Sequence, residues 1–223
     1  MLKRSLFILL VFSLTALNAQ YSVNMGVNTL SPFGASAKYV GFHLGGEFPR
    51  DNDVSMYLRA SLYWKKKLDP LLYQENTIQL EAIDPTDFNV AFVSGVTTFN
   101  YTTIDGGLRY YLLDGYDNGF ALYGGSNLMG VINKAKFTVD EYDKTKYRLP
   151  MGTALSGTIL NVGIGLSGGA KYTIPGVGSI YLDATFDYLL ISLPSNTQAT
   201  SIASNFYSPI LFSLNVGFRK DFY

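Results

Sequence analysis

Three features of the chain predict its fold class. Apolar and polar residues alternate with period two over runs of about ten residues, the N terminus follows the three-part plan of an export signal, and short and long links take turns along the sequence. Together they predict an all-β fold, an antiparallel up-and-down transmembrane β-barrel of about eight strands over residues 20–223, preceded by a signal peptide over 1–19.

The signal comes first. Lys3 and Arg4 form a short basic start, Leu6 to Leu14 an apolar run broken only by Ser13, and Leu17-Asn18-Ala19 a small-residue exit before Gln20. The apolar run is too short for a spanning helix, which needs roughly twenty residues, so cleavage after Ala19 is expected. No later segment reaches that length without charges or glycines. In a membrane, a chain of this kind satisfies its backbone only as a closed barrel.

Composition agrees. Seventeen basic residues balance seventeen acidic ones, which leaves no net field to attract nucleic acid. Cysteine is absent, and with it thiol catalysis, disulfides and thiolate metal sites. Abundant glycine, tyrosine and phenylalanine suit pleated, aromatic-rich strands.

The strands are expected at about 21–30, 38–49, 54–64, 97–112, 119–132, 158–173, 179–190 and 207–222. Val54, Met56, Leu58, Ala60, Leu62 and Trp64 share one parity, with Ser55, Tyr57, Arg59, Ser61 and Tyr63 on the other. The same reading holds for Leu160 to Tyr172, Ile180 to Tyr188 and Ile210 to Phe218. A soluble sandwich also alternates, but its links follow no fixed order. Here tight turns at 50–53, 114–118 and 175–178 take turns with long polar stretches at 65–96, 133–157 and 191–206, as outer-membrane barrels require; 31–37 is a short outer link. Aromatics fall where interface girdles belong: Phe48, Tyr110, Phe120, Tyr172 and Phe222 near the short turns, Trp64 and Tyr188 near the long links.

The Asn18-Ala19-Gln20 exit, the Gly-x-Gly alternation and the closing Val216-Gly217-Phe218-Arg219-Lys220-Asp221-Phe222-Tyr223 carry a family resemblance. The chain resembles small outer-membrane barrels of the OmpA/OmpX type, most of all the outer-membrane β-barrel domain proteins of Bacteroidetes. The resemblance implies the outer membrane of a Gram-negative bacterium. It also implies that Phe218 and Phe222, with Tyr223 one residue beyond, serve as the signal read by the barrel assembly machinery.

Several residues invite chemistry. Gly163-Ile164-Gly165-Leu166-Ser167-Gly168 spells a dinucleotide fingerprint, but it lies inside a strand and no helix opens after it. His43, the single histidine, shares a face with Glu47, and Ser55 or Ser61 could face it from the next strand, as a lipid-modifying acyltransferase or deacylase would need. The charge on that face favours a hydrogen-bonded lumen histidine, so no catalytic residue is assigned. Asp140, Glu141 and Asp143 alternate with lysines and read as a solvated loop, so no metal or cofactor is assigned either. Lys65-Lys66-Lys67 suits lipopolysaccharide phosphates or a plain basic interface anchor.

Eight charges fall on the inward parity: Glu47, Asp105, Asp183 and Asp187 against Arg59, Arg109, Lys171 and Arg219. The two signs are expected to interlock with Tyr57, Tyr123, Tyr181 and Asn215 into a plug that loss of Arg59 or Arg109 would open. The function expected is therefore non-enzymatic, exercised through the outer loops or as an accessory subunit of an envelope complex. A lipid-modifying enzyme and a narrow pore are the alternatives. Expected partners are outer-membrane lipids and lipopolysaccharide, the assembly machinery and an envelope protein, with no nucleic acid.

Overall fold

The computed structural model describes residues 20–33, 38–67, 77–84, 90–112, 119–153, 155–194 and 208–222. The signal segment 1–19, the turn at 114–118 and Tyr223 lie outside them. The described residues contain no helix.

Among the described residues there are eleven strands: β1 (Tyr21–Pro32), β2 (Tyr39–Asp51), β3 (Val54–Tyr63), β4 (Lys66–Lys67), β5 (Thr77–Ala82), β6 (Ala91–Tyr111), β7 (Phe120–Val139), β8 (Tyr147–Arg148), β9 (Ser156–Ile174), β10 (Gly178–Pro194) and β11 (Ile210–Phe222). The eight long ones form an antiparallel ring in the order β3-β2-β1-β11-β10-β9-β7-β6, and β3 pairs with β6 to complete it. The first and last strands pair from Tyr21 with Phe222 to Pro32 with Leu211.

Burial follows parity and is inverted relative to a water-soluble protein. On β3 every second residue from Ser55 to Tyr63 is buried, while Met56, Leu58, Ala60 and Leu62 are exposed. Leu128 and Leu166 are 66% and 67% exposed, whereas Glu47 and Asp187 are 0% exposed. Apolar side chains outside and buried charge inside are what a lipid solvent selects, and a sandwich in water would reverse them.

The turns at the short-link end are compact. Asn52 and Asp53 join β2 to β3, with the Asn52 amide donating to the Asp51 carboxylate at 2.8 Å. Between β9 and β10, Gly176 adopts φ 76°, a left-handed conformation that glycine takes without strain. The Lys220 ammonium donates to the carbonyls of Gly176 and Val177, tying that turn to β11.

The strands differ from expectation at their outer ends. β6 begins at Ala91 rather than 97, β7 runs to Val139 rather than 132, and β10 reaches Pro194 rather than 190. Much of the expected long links is therefore strand. The reason is a reversal of solvent: Lys134 and Lys136 face outward there, while Asn133, Ala135 and Phe137 are buried. The period stays at two, but the outward face now meets water, so an apolar-outside pattern ends before the strand does.

Candidate functional site

The lumen is built in two layers. In the layer nearer the short turns, Arg59 lies opposite Asp105 across the β3–β6 pair. Its Nε and Nη2 donate to the two Asp105 oxygens at 3.1 and 2.9 Å, and its Nη1 donates to Asp183 at 3.0 Å. Arg109 forks differently, with Nη1 donating to Glu47 and Nη2 to Asp183, each at 2.7 Å. Asp183 also accepts from Asn215 at 2.6 Å. Glu47 accepts from Ser55 and Tyr111 hydroxyls through Oε1, and Arg219 stands 3.7 Å from its other oxygen. Such paired, hydrogen-bonded charge is the form in which ions tolerate burial.

Aromatic rings fill the spaces between. The Arg109 guanidinium lies 4.1 Å from the Tyr57 ring centroid and 4.8 Å from that of Tyr123, and the Lys171 ammonium 4.4 Å from that of Tyr111. Inward glycines leave the room these side chains need: a Cβ on Gly217 would meet the Tyr181 hydroxyl, and one on Gly169 the Tyr123 hydroxyl. His43 Nε2 hydrogen-bonds the Tyr181 hydroxyl, with the ring buried. Ser61 faces His43 in register, while Ser55 is engaged by Glu47. A cavity of about 10 Å³, at the threshold for one water molecule, lies beside Glu47, Arg109 and Arg219.

Asp187 departs from the expected pairing. It accepts from Asn127 at 2.6 Å, and none of the ion pairs among the described residues includes it. Its register neighbours are Gly165 and Leu211, beyond the level at which Arg59 spans the lumen. The eight charges thus do not meet at one depth.

The second layer was not anticipated. Toward the long links the lumen is closed by Leu30, Tyr39, Phe99, Tyr101, Val131 and Leu211, all buried in one cluster. Tyr39 and Tyr101 meet edge-on at 4.8 Å between centroids, and Phe99 packs on Tyr101 at 5.3 Å. The signal was present in the sequence as doublets at strand ends, Val131-Ile132, Leu189-Leu190 and Leu211-Phe212, where both parities turn apolar.

Above this layer the outer links are tied together. β5 pairs with β6 from Thr77 opposite Ser94 to Leu80 opposite Ala91. It continues into β8, with Glu81 opposite Arg148 and Ala82 opposite Tyr147. The Arg148 Nε donates to Glu81 at 3.2 Å, and the Ile83 amide to the Lys146 carbonyl at 2.8 Å. The link after β3 and the link after β7 therefore share one sheet. Lys66 and Lys67 pair by main chain with Phe99 and Thr98 at the rim.

Asp143 engages the Thr145 hydroxyl and amide through one oxygen, and these donors hold its carboxyl below the usual range. Among the described residues no three acidic or histidine side chains converge as a metal site would require. At the closing strand, Phe218 and Phe222 face outward, and Phe222 stacks on Tyr21 at 5.2 Å.

No protein-family profile and no curated protein sequence matches the chain. Solved structures do. Neisserial surface protein A is similar over 91% of this chain and 96% of its own, at 13% identity and a TM-score of 0.52. A major outer membrane protein from Thermus thermophilus is similar over 92% of this chain and 100% of its own, also at 13% identity and a TM-score of 0.52. The fold is that of the small outer-membrane β-barrels.

Proposed function

We propose that this barrel resides in a Gram-negative outer membrane after removal of residues 1–19, is sealed to ions, and works without catalysis through its outer rim, as a surface-interaction protein or an accessory subunit of an envelope complex. One observation carries the reading: two outer links are joined by β5 and β8 into a single sheet above a filled lumen. A sealed barrel has no transport to perform. A built outer sheet, in contrast, orders backbone at an entropic cost that a mere connection would not incur. His43 supports the non-enzymatic reading, because its ring is buried and its Nε2 is engaged by the Tyr181 hydroxyl rather than by a serine.

The test replaces 77–84 and 140–153 by short turns. The trimmed barrel should still migrate differently before and after boiling, as closed barrels do. A partner that co-purifies stoichiometrically with the intact protein in mild detergent should be lost. Retention of that partner by the trimmed barrel would contradict the reading, as would recovery of the intact protein from the soluble periplasm.

A further inference from the structure

The outward face of β7 changes chemistry along its length. Leu122, Gly124, Ser126, Leu128, Gly130 and Ile132 point outward first, and Lys134 and Lys136 continue the same row. Lys134 pairs with Asn100 and Lys136 with Thr98, while Thr98 on its other side pairs with Lys67. Directly paired residues point to the same face. With strands about 4.8 Å apart and residues about 3.3 Å apart, the backbone positions of the three lysines stand within roughly 12 Å of one another. Their neighbours on β9 are Ser156 and Thr158, and none of the ion pairs among the described residues includes any of the three.

A second feature lies lower on the same face. Between β6, β7, β9 and β10 the outer wall is indented by a groove of about 540 Å³, with Gly106 and Ser126 as its floor and Leu128, Leu166, Phe186 and Tyr188 among its walls. From Lys134 to Leu128 and Ser126 is six to eight residues, roughly 20–27 Å along a strand. At a tilt of about 40° that is roughly 15–20 Å of depth, about half to two thirds of a roughly 30 Å hydrocarbon core. Cationic rim and apolar groove are thus separated by the length of one lipid leaflet.

We propose that this face binds one lipid whose head group carries at least two phosphate charges, with the phosphates on Lys67, Lys134 and Lys136 and an acyl chain in the groove. The inference rests on the outward placement of the long links given above. A second copy of the barrel fits less well, because a two-fold contact on this face would bring two lysine trios together at one height.

Native mass spectrometry of the full barrel in detergent, with diphosphoryl lipid A as the probe, tests this. The wild type should retain the probe at least tenfold more tightly than phosphatidylcholine. Lys134→Gln with Lys136→Gln should remove that preference. Ser126→Leu, which fills the groove and leaves every lysine in place, should weaken retention several-fold. The gel shift on boiling, read on the same samples, reports whether the barrel is closed, and protease treatment of intact cells reports which end is outside. Wild-type retention by the lysine pair would overturn the proposal. So would equal competition by phosphatidylglycerol, or a change of oligomeric state in Ser126→Leu with lipid retention unaltered.

Discussion

Arg109 on β6 reaches past β3 to Glu47 on β2, with Nη1 2.7 Å from the carboxylate. The pair is a brace between walls, and its second fork to Asp183 carries the brace to β10. Removing one partner leaves an uncompensated buried charge, which costs about 3–5 kcal/mol. Arg109→Ala should therefore lower the temperature at which the gel shift is lost. The double variant Arg109→Gln with Glu47→Gln, which removes both charges of the pair, should lose less. Equal losses in the two would mean that the ion pair is not what holds these walls.

Conductance follows from the two layers. The wild type should be silent in planar bilayers. Arg59→Ala should also be silent, because Tyr39, Phe99 and Tyr101 still close the outer half. Conductance should appear when Arg59→Ala is combined with Phe99→Ala and Tyr101→Ala. Steady single-channel currents from the wild type would refute the sealed lumen.

Two neighbouring glycines should answer differently to one methyl group. A Cβ on Gly125 would overlap the Leu108 carbonyl oxygen and lie 2.9 Å from its carbon, whereas on Gly124 the nearest atom would be the Ser167 carbonyl oxygen at 3.7 Å. Gly125→Ala should cost at least about 1–3 kcal/mol as overpacking does, and Gly124→Ala should be close to neutral. Thermal gel-shift midpoints of the two variants compare them directly.

Protease mapping on intact cells reports orientation. Lys134 and Lys136 are held between β6 and β9, whereas Lys144 and Lys146 lie in the exposed link. Trypsin should cut after Lys144 or Lys146 and spare Lys134, Lys136 and Arg50. A cut at Arg50, beside a short turn, would invert the topology.

Strand number and facing were legible because lipid outside and a narrow lumen inside impose one rule on every strand. Arg59 and Leu58 are told apart by parity alone, and the eight inward charges followed from it. The ends of β6 and β7 were not legible as membrane strand, because above the interface the outward face becomes polar and the same rule reads backwards. Phe99 and Tyr101 point inward while Asn100 points outward, a pattern that alternation scores as link when apolar is expected outside. Nor could parity show that Asp187 lies beyond the arginines, since depth depends on the stagger between strands. The joining of β5 to β8 depends on two links meeting in space, which neither segment encodes alone.

The seam between β1 and β11 has a consequence in time. Seven of the eight junctions in the ring join strands that follow one another among the eight long ones, but the last joins Tyr21 to Phe222 across the length of the barrel sequence. So distant a pairing is entropically slow, and local hairpins form before it. Until it forms, the nascent sheet carries two bare edges, each a template for wrong partners. The chain is therefore most vulnerable in the interval between its last hairpin and its first complete turn of the ring, and an escort that masks β1 until β11 arrives would protect it there.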